Sequence, residues 1–186
     1  MILEKLSHIE EAELSELLVD FQKIMNSSSF KKNEFLHTEG KICNHLFIIE
    51  KGIARVFYYK EGKDITAHFA IENEATTAID SFIQRKKSRY NIQLLENSKV
   101  ISIAYTDLQK LLKEKPHYEK YSRMFLEQIY IDLAERVEDL LFYNAKERYA
   151  KLIKEKPNLF KRVNLGHIAS FIGMSQETLS RIRKSY

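Results

Sequence analysis

The sequence predicts an α+β chain in three parts: a β sandwich or jelly roll, one long helix, and a closing pair of short helices. Three observations carry that reading. Short β-type runs separated by turn residues fill residues 30–103. Leu126, Ile129, Leu133, Val137 and Leu140 then step by three and four along one face of a helix. Finally, residues 164–184 hold two short helical patterns broken at Gly173.

Taken in order, residues 8–26 read as an amphipathic helix with Leu14, Leu17, Leu18, Phe21 and Ile24 on one side, ended by Ser27-Ser28-Ser29. The β-type runs follow: Phe30, Glu34-Phe35-Leu36, 46–49, 53–59, 65–69, 90–95 and 99–103. Gly40, Gly52 and Gly62 punctuate them, because tight turns favour a residue that tolerates positive φ. Thr106 reads as the cap of a helix over 107–115, which Pro116 breaks. The next helix runs from about His117 to Asn144, with Tyr118, Tyr121 and Phe125 as an aromatic stripe at its start. Its apolar side has two possible partners, the β domain of its own chain or the same helix of a second chain. Leu141, Ala145, Tyr149 and Leu152 mark another amphipathic helix, which Pro157 ends. Residues 158–163 read as a connection of β or extended type.

The closing pair is the most informative stretch. Leu165, Ile168, Ala169 and Ile172 recur at helical spacing, and Gly173 stops that helix. Ser175 then suits the N-cap of a second helix, whose capping-box partner would be Thr178 in place of an acid or amide. Leu179 and Ile182 give this second helix an apolar side. Ser175, Gln176, Glu177, Thr178, Ser180, Arg181 and Lys184 cover the rest with groups able to meet base edges or phosphates. That is the layout of a helix-turn-helix whose second helix enters the major groove; a surface helical hairpin closing a small domain is the other reading of the spacing. Charge favours the first. Residues 138–186 carry ten Lys and Arg against five Asp and Glu, whereas the whole chain is only +4.

The chain of 186 residues is long enough to bury a sizeable core, and no apolar run approaches the length of a membrane span. Its N-terminus lacks the pattern of a signal peptide, so a cytoplasmic location is expected, with no membrane partner. The single Cys43 excludes an internal disulfide and any cysteine-only zinc or iron–sulfur site within one chain. Cys43 and His45 would share one face of a strand, with no third group beside them in sequence. No pair among His8, His37, His45, His68, His117 and His167 falls at i, i+4. Dinucleotide, P-loop, nucleophile-elbow and zinc-protease motifs are absent, so neither an enzyme nor a resident metal or cofactor is expected.

With these residues in view, Ile168-Ala169, Gly173-Met174-Ser175 and Glu177-Thr178-Leu179-Ser180-Arg181 resemble the recognition motif of the Crp/Fnr family of bacterial transcription regulators. Gly40, Gly52 and Gly62 among short strands are similar to the cyclic-nucleotide-binding domain of that family. The resemblance implies a β-roll sensor domain over 1–115, a long dimerisation helix over 116–138, and a DNA-binding domain over 139–186. It implies a homodimer along Leu126, Ile129, Leu133 and Val137, a palindromic DNA operator, and contact with RNA polymerase. Base reading maps to Gln176, Glu177 and Arg181. A β-hairpin wing normally follows the recognition helix; here it is missing or reduced to residues 160–163.

The resemblance also places the effector cassette at residues 75–88. Where the family has Gly-Glu for the ribose, Thr76-Thr77 stand; where it has Arg-Ser for the cyclic phosphate, Lys87-Ser88 stand. Threonine has no carboxylate, and lysine lacks the two-pronged fit of a guanidinium to phosphate. Effector contacts would therefore fall to Thr77, Lys87 and Ser88, without cyclic AMP bound in the usual manner. Glu72 or Glu74, slightly displaced, could compensate for the missing carboxylate if the loop is re-registered. The basic run 85–89 is either a solvated loop or a phosphate-binding remnant. Two alternatives stand beside the regulator: a sensor of cyclic nucleotides or other small anions with an altered pocket, and a protein-interaction module whose helix-turn-helix does not read DNA.

Overall fold

The computed structural model describes residues 11–185. The described part of the first helix, α1, spans Glu11–Ile24; residues 8–10 of the expected helix lie outside the described residues. Eight strands follow: β1 Met25–Phe30, β2 Phe35–His37, β3 His45–Lys51, β4 Ala54–Lys60, β5 Lys63–Ala70, β6 Ala75–Thr76, β7 Asn91–Leu94 and β8 Ser98–Ala104, with a short helix α2, Ile79–Gln84, between β6 and β7. Then come α3 Tyr105–Glu114, a 3-10 turn Pro116–Tyr118, and the long α4 Glu119–Phe142. The C-terminal helices are α5 Ala145–Glu155, α6 Leu159–Arg162, α7 Leu165–Phe171 and α8 Gln176–Lys184.

The strands form two four-stranded sheets, ordered β1-β8-β3-β6 and β2-β7-β4-β5. β8 pairs antiparallel with both β1 and β3, and the β3 register shifts between Ile49 and Lys51. Phe47, Ile49, Ile53, Phe69, Ile92, Leu94 and Val100 are buried between turns that carry the polar residues. By contacts the chain divides into two units, one reaching to Val56 and including Phe69–Phe125, the other Phe57–His68 with everything from Leu126.

Within the first unit, α1, α3 and the start of α4 share a small core. Leu17, Leu111 and Tyr118 are buried there, with Leu14, Phe21, Ile24, Leu112 and Tyr121 against them. The Tyr118 hydroxyl donates to Asp20 Oδ2 at 3.0 Å, and Lys23 and Lys115 approach the same carboxylate at 2.7 and 3.2 Å. Hydrogen bonds from Lys23, then Lys115, hold the Asp20 carboxyl down to about 2 from its ordinary 3.8, and burial pushes the Tyr118 phenol up to about 12. A depressed carboxyl stabilises the fold above its unfolded pKa, and that stabilisation disappears as pH falls through the folded value. Stability should therefore decline between 3.8 and about 2. Asp20→Asn should flatten that acid limb in pH-dependent urea titrations; an unchanged limb would remove Asp20 from the account.

Several local expectations change. Ser27, Ser28 and Ser29 do not end the first helix as a loop. They pair with Ile101, Val100 and Lys99 inside β1, because β8 satisfies their backbone and leaves the small side chains exposed. Leu18 is 44% exposed and lies off the packed side of α1. Thr106 is not a cap: α3 starts at Tyr105 after Ala104, and no side chain bonds its end. Asn144 separates α4 from α5 through a capping box. Its Oδ1 accepts from the Lys146 and Glu147 amides at 2.9 and 3.1 Å, while Glu147 accepts from the Asn144 amide at 2.8 Å. Leu141 consequently belongs to α4, where it is 71% exposed. Residues 158–162 are not extended, and of the expected run only Val163 has extended backbone. Leu159–Arg162 form one helical turn, drawn in by Leu159, which is 2% exposed, and by Phe160 meeting the Tyr149 ring edge-on at 5.4 Å.

Candidate functional site

The two closing helices are built locally. Asn164 Oδ1 accepts from the Gly166 amide at 2.7 Å and starts α7. Gly173 follows its end with φ +68°, in the left-handed region that a side chain resists. Its missing Cβ also makes room for the Leu140 side chain. The Ser175 hydroxyl accepts from the Thr178 amide at 3.2 Å, and the two hydroxyls lie 3.1 Å apart. Thr178 thus meets the cap through its own oxygen instead of through a carboxylate. Ile168, Ala169, Ile172 and Leu179 are buried, together with Tyr149 and Leu152 of α5.

That packing fixes which side of α8 faces outward. Ser175, Gln176, Glu177, Arg181 and Lys184 are exposed, and Thr178 and Ser180 are half-buried. The Glu177 carboxyl is held below its ordinary value, first by its own backbone N–H and then by the Ser175 hydroxyl, so it is an acceptor at neutral pH. Arg183, which the sequence reading passed over, is exposed beside Arg181 and Lys184 in the last turn. Its basic neighbours in the helix pattern were the available signal.

Two arginines hold the turn that precedes α8. Arg148 Nε donates to the Ile172 carbonyl at 2.8 Å, and its guanidinium also donates to Tyr143 O. Arg136 Nη2 donates to the Phe171 carbonyl at 2.8 Å, and its guanidinium lies 4.1 Å from the Phe171 ring centre. A helix C-terminus leaves carbonyls without intrahelical donors, and cations are favoured there. Burial pushes the Arg136 guanidinium down, but the group stays charged. The end of the β4–β5 hairpin joins this unit: the Thr66 amide donates to Ser170 Oγ at 2.9 Å, and Ser170 Oγ donates to Asp64 O at 3.2 Å.

The long helix buries no residue of its own. Leu126, Leu133 and Val137 are 44%, 57% and 46% exposed, whereas Ile129 is only half-exposed. Tyr130, at 74%, takes the outward place between Leu126 and Leu133 and lines a shallow apolar groove with Leu126 and Ile131. Exposed apolar residues at 126, 130, 133, 137 and 140 share one side of the helix, and Ile131, Leu141 and Phe142 are exposed as well.

At the cassette, the hydroxyls of two of the three expected effector residues, Thr77 and Ser88, are hydrogen-bonded within the protein. Thr76 pairs with Phe47 across β6 and β3. Thr77 is buried, and its hydroxyl donates to the His45 carbonyl at 2.9 Å. Lys87 is exposed and bridges Ile42 through its backbone. Ser88 is buried, and its hydroxyl donates to Asp80 Oδ1 at 2.9 Å, an oxygen that also accepts from the Ser81 amide at 2.7 Å. Arg85 turns inward, donating to Cys43 O at 2.8 Å and stacking 3.9 Å over Tyr105. Glu72 and Glu74 accept from the Gly52 and Ile71 amides and brace turns. Cys43 and His45 do not share a strand face: Cys43 precedes β3 and is buried, while His45 is exposed.

Residues 27–115 match the family model for the cyclic nucleotide-binding domain. The chain carries a cyclic-nucleotide-binding-type β-roll. Solved structures share the wider architecture. The c-di-GMP-responsive global regulator CLP of Xanthomonas campestris is 15% identical, covering 92% of this chain and 90% of its own, with a TM-score of 0.70. A CooA variant from Carboxydothermus hydrogenoformans is 19% identical over 99% and 83%, at 0.67. The catabolite activator protein of Thermus thermophilus is 15% identical over 97% and 84%, at 0.57. The TM-scores show a shared fold, and at these identities the fold alone. No curated protein sequence matches the chain. Among the described residues, no helix is long and apolar enough to cross a membrane.

Proposed function

We propose that this chain is a DNA-binding transcription regulator of the Crp/Fnr type. It binds a palindromic operator as a homodimer joined along α4, and it does not answer to cyclic AMP in the usual way. The observation that carries the reading is the outward face of α8. Gln176, Glu177 and Arg181 project from a capped helix start, and Arg183 and Lys184 follow toward its end. Arg181 pairs with guanine, Glu177 accepts from cytosine and Gln176 reads adenine. Exposed Lys161 and Lys184 meet phosphates. DNA binding then recruits or blocks RNA polymerase. The shared fold with the regulators above supports this reading.

Arg181→Ala should cost about 1–3 kcal/mol of operator binding and relax specificity at one base pair. Fluorescence titrations against operators substituted at each position check this. Equal loss on every sequence would make Arg181 a phosphate contact only.

The cassette supports the second half of the reading. Ser88, the expected phosphate donor, is bound to Asp80, and Arg85 is bound to Cys43 and Tyr105. Calorimetry should show no cyclic-AMP binding in the micromolar range; binding that Lys87→Ala removes would overturn this.

A further inference from the structure

Cys43 is 1% exposed and His37 is 8% exposed, and both line a cavity of about 230 Å³ beside β2 and the start of β3. His37 Nε2 is buried without a hydrogen-bond partner, a condition that native interiors seldom leave in place. The Cys43 sulfur lies 3.4 Å from Thr77 Oγ1 and 3.5 Å from the His45 carbonyl. The thiol is also within hydrogen-bonding reach of the His37 side chain. None of these groups is used in the DNA reading above.

Ligand number narrows what such a pair holds. Among the described residues, no three His, Cys, Asp or Glu side chains are placed to hold a metal ion. Zinc wants three or four protein ligands, so this pair does not suit it. A soft monovalent ion accepts two ligands and prefers thiolate and imidazole. One thiolate, one neutral imidazole and one monovalent cation also sum to zero charge, which suits a buried cavity.

We propose that Cys43 and His37 form a two-ligand site for a soft monovalent cation of the copper(I) class, with His45 outside the coordination sphere. Binding joins sulfur and imidazole nitrogen to the ion and releases the thiol proton to solvent, with no change of oxidation state. The test uses the full chain, anaerobic and without added thiol, titrated with copper(I) against a chromophoric copper(I) chelator. One equivalent should be retained. Cys43→Ser and His37→Gln should each weaken retention by more than the roughly 10–100-fold typical of losing an outer-sphere partner. His45→Ala should leave it unchanged. X-ray absorption of the wild-type complex should show one sulfur and one nitrogen, a measurement that stands even where a variant fails to fold. No retained copper, retention intact in Cys43→Ser, or a shell of methionine sulfurs would each overturn the proposal.

Discussion

Leu133→Glu should convert the protein to a monomer and lower its affinity for a two-half-site operator by about 10²–10⁴-fold, the gain that linking two binding modules supplies. Leu133 is 57% exposed, in the middle of the stripe formed by Leu126, Tyr130, Val137 and Leu140. A residue near a two-fold axis meets its own copy, so the substitution buries two like charges against each other in the dimer. Within one protomer the change is mild. Glutamate propagates a helix nearly as well as leucine, and α4 buries no residue in its own chain. Sedimentation and DNA titration on the same sample separate the outcomes. A dimer that persists, or a monomer that keeps full operator affinity, would reject α4 as the joint.

Gly52→Ala should destabilise the β-roll by about 2–6 kcal/mol, summing a strained backbone and an overpacked contact. Gly52 sits at φ +111°. A Cβ there would lie 2.1 Å from Ser98 Oγ, 2.6 Å from Ser98 Cβ and 3.0 Å from its Cα. Ser98 has little room to yield, since it is 5% exposed and its hydroxyl donates to Glu96 O at 2.8 Å. Against a typical total of about 5–15 kcal/mol, such a loss leaves little reserve. Gly62→Ala is the control: its φ is +73° with nothing within 4 Å of the new carbon, so only the backbone cost of about 1–2 kcal/mol applies. Urea midpoints for the two variants should differ; equal midpoints would mean that the Ser98 contact relaxes freely.

Features set by neighbours in sequence were legible before the structure. Ser175 caps α8 and Gly173 follows α7 because caps and helix ends act over three or four residues. Most β runs appear where their apolar residues and turns put them. Features set by distant partners were not legible. Ser27 to Ser29 read as a helix end because their strand partners in β8 lie 70 to 74 positions away. The role of Arg136 carries no local signal, because its partners Phe171 O and Thr66 O lie 35 and 70 positions off. Asp80 drew no notice, although it holds the Ser88 hydroxyl that the cassette was expected to offer. Tyr130 is more exposed than the neighbouring Ile129, a difference the sequence does not show because both are apolar and adjacent. The turn Leu159–Arg162 was misread because a short apolar-basic run carries no period.

The most direct measurement is selection of bound sequences from a random DNA pool by the purified protein at physiological salt. The account predicts a palindromic motif with half-sites about one helical turn apart. Retention without sequence preference, falling steeply with salt, would contradict it by showing phosphate contact with no base reading.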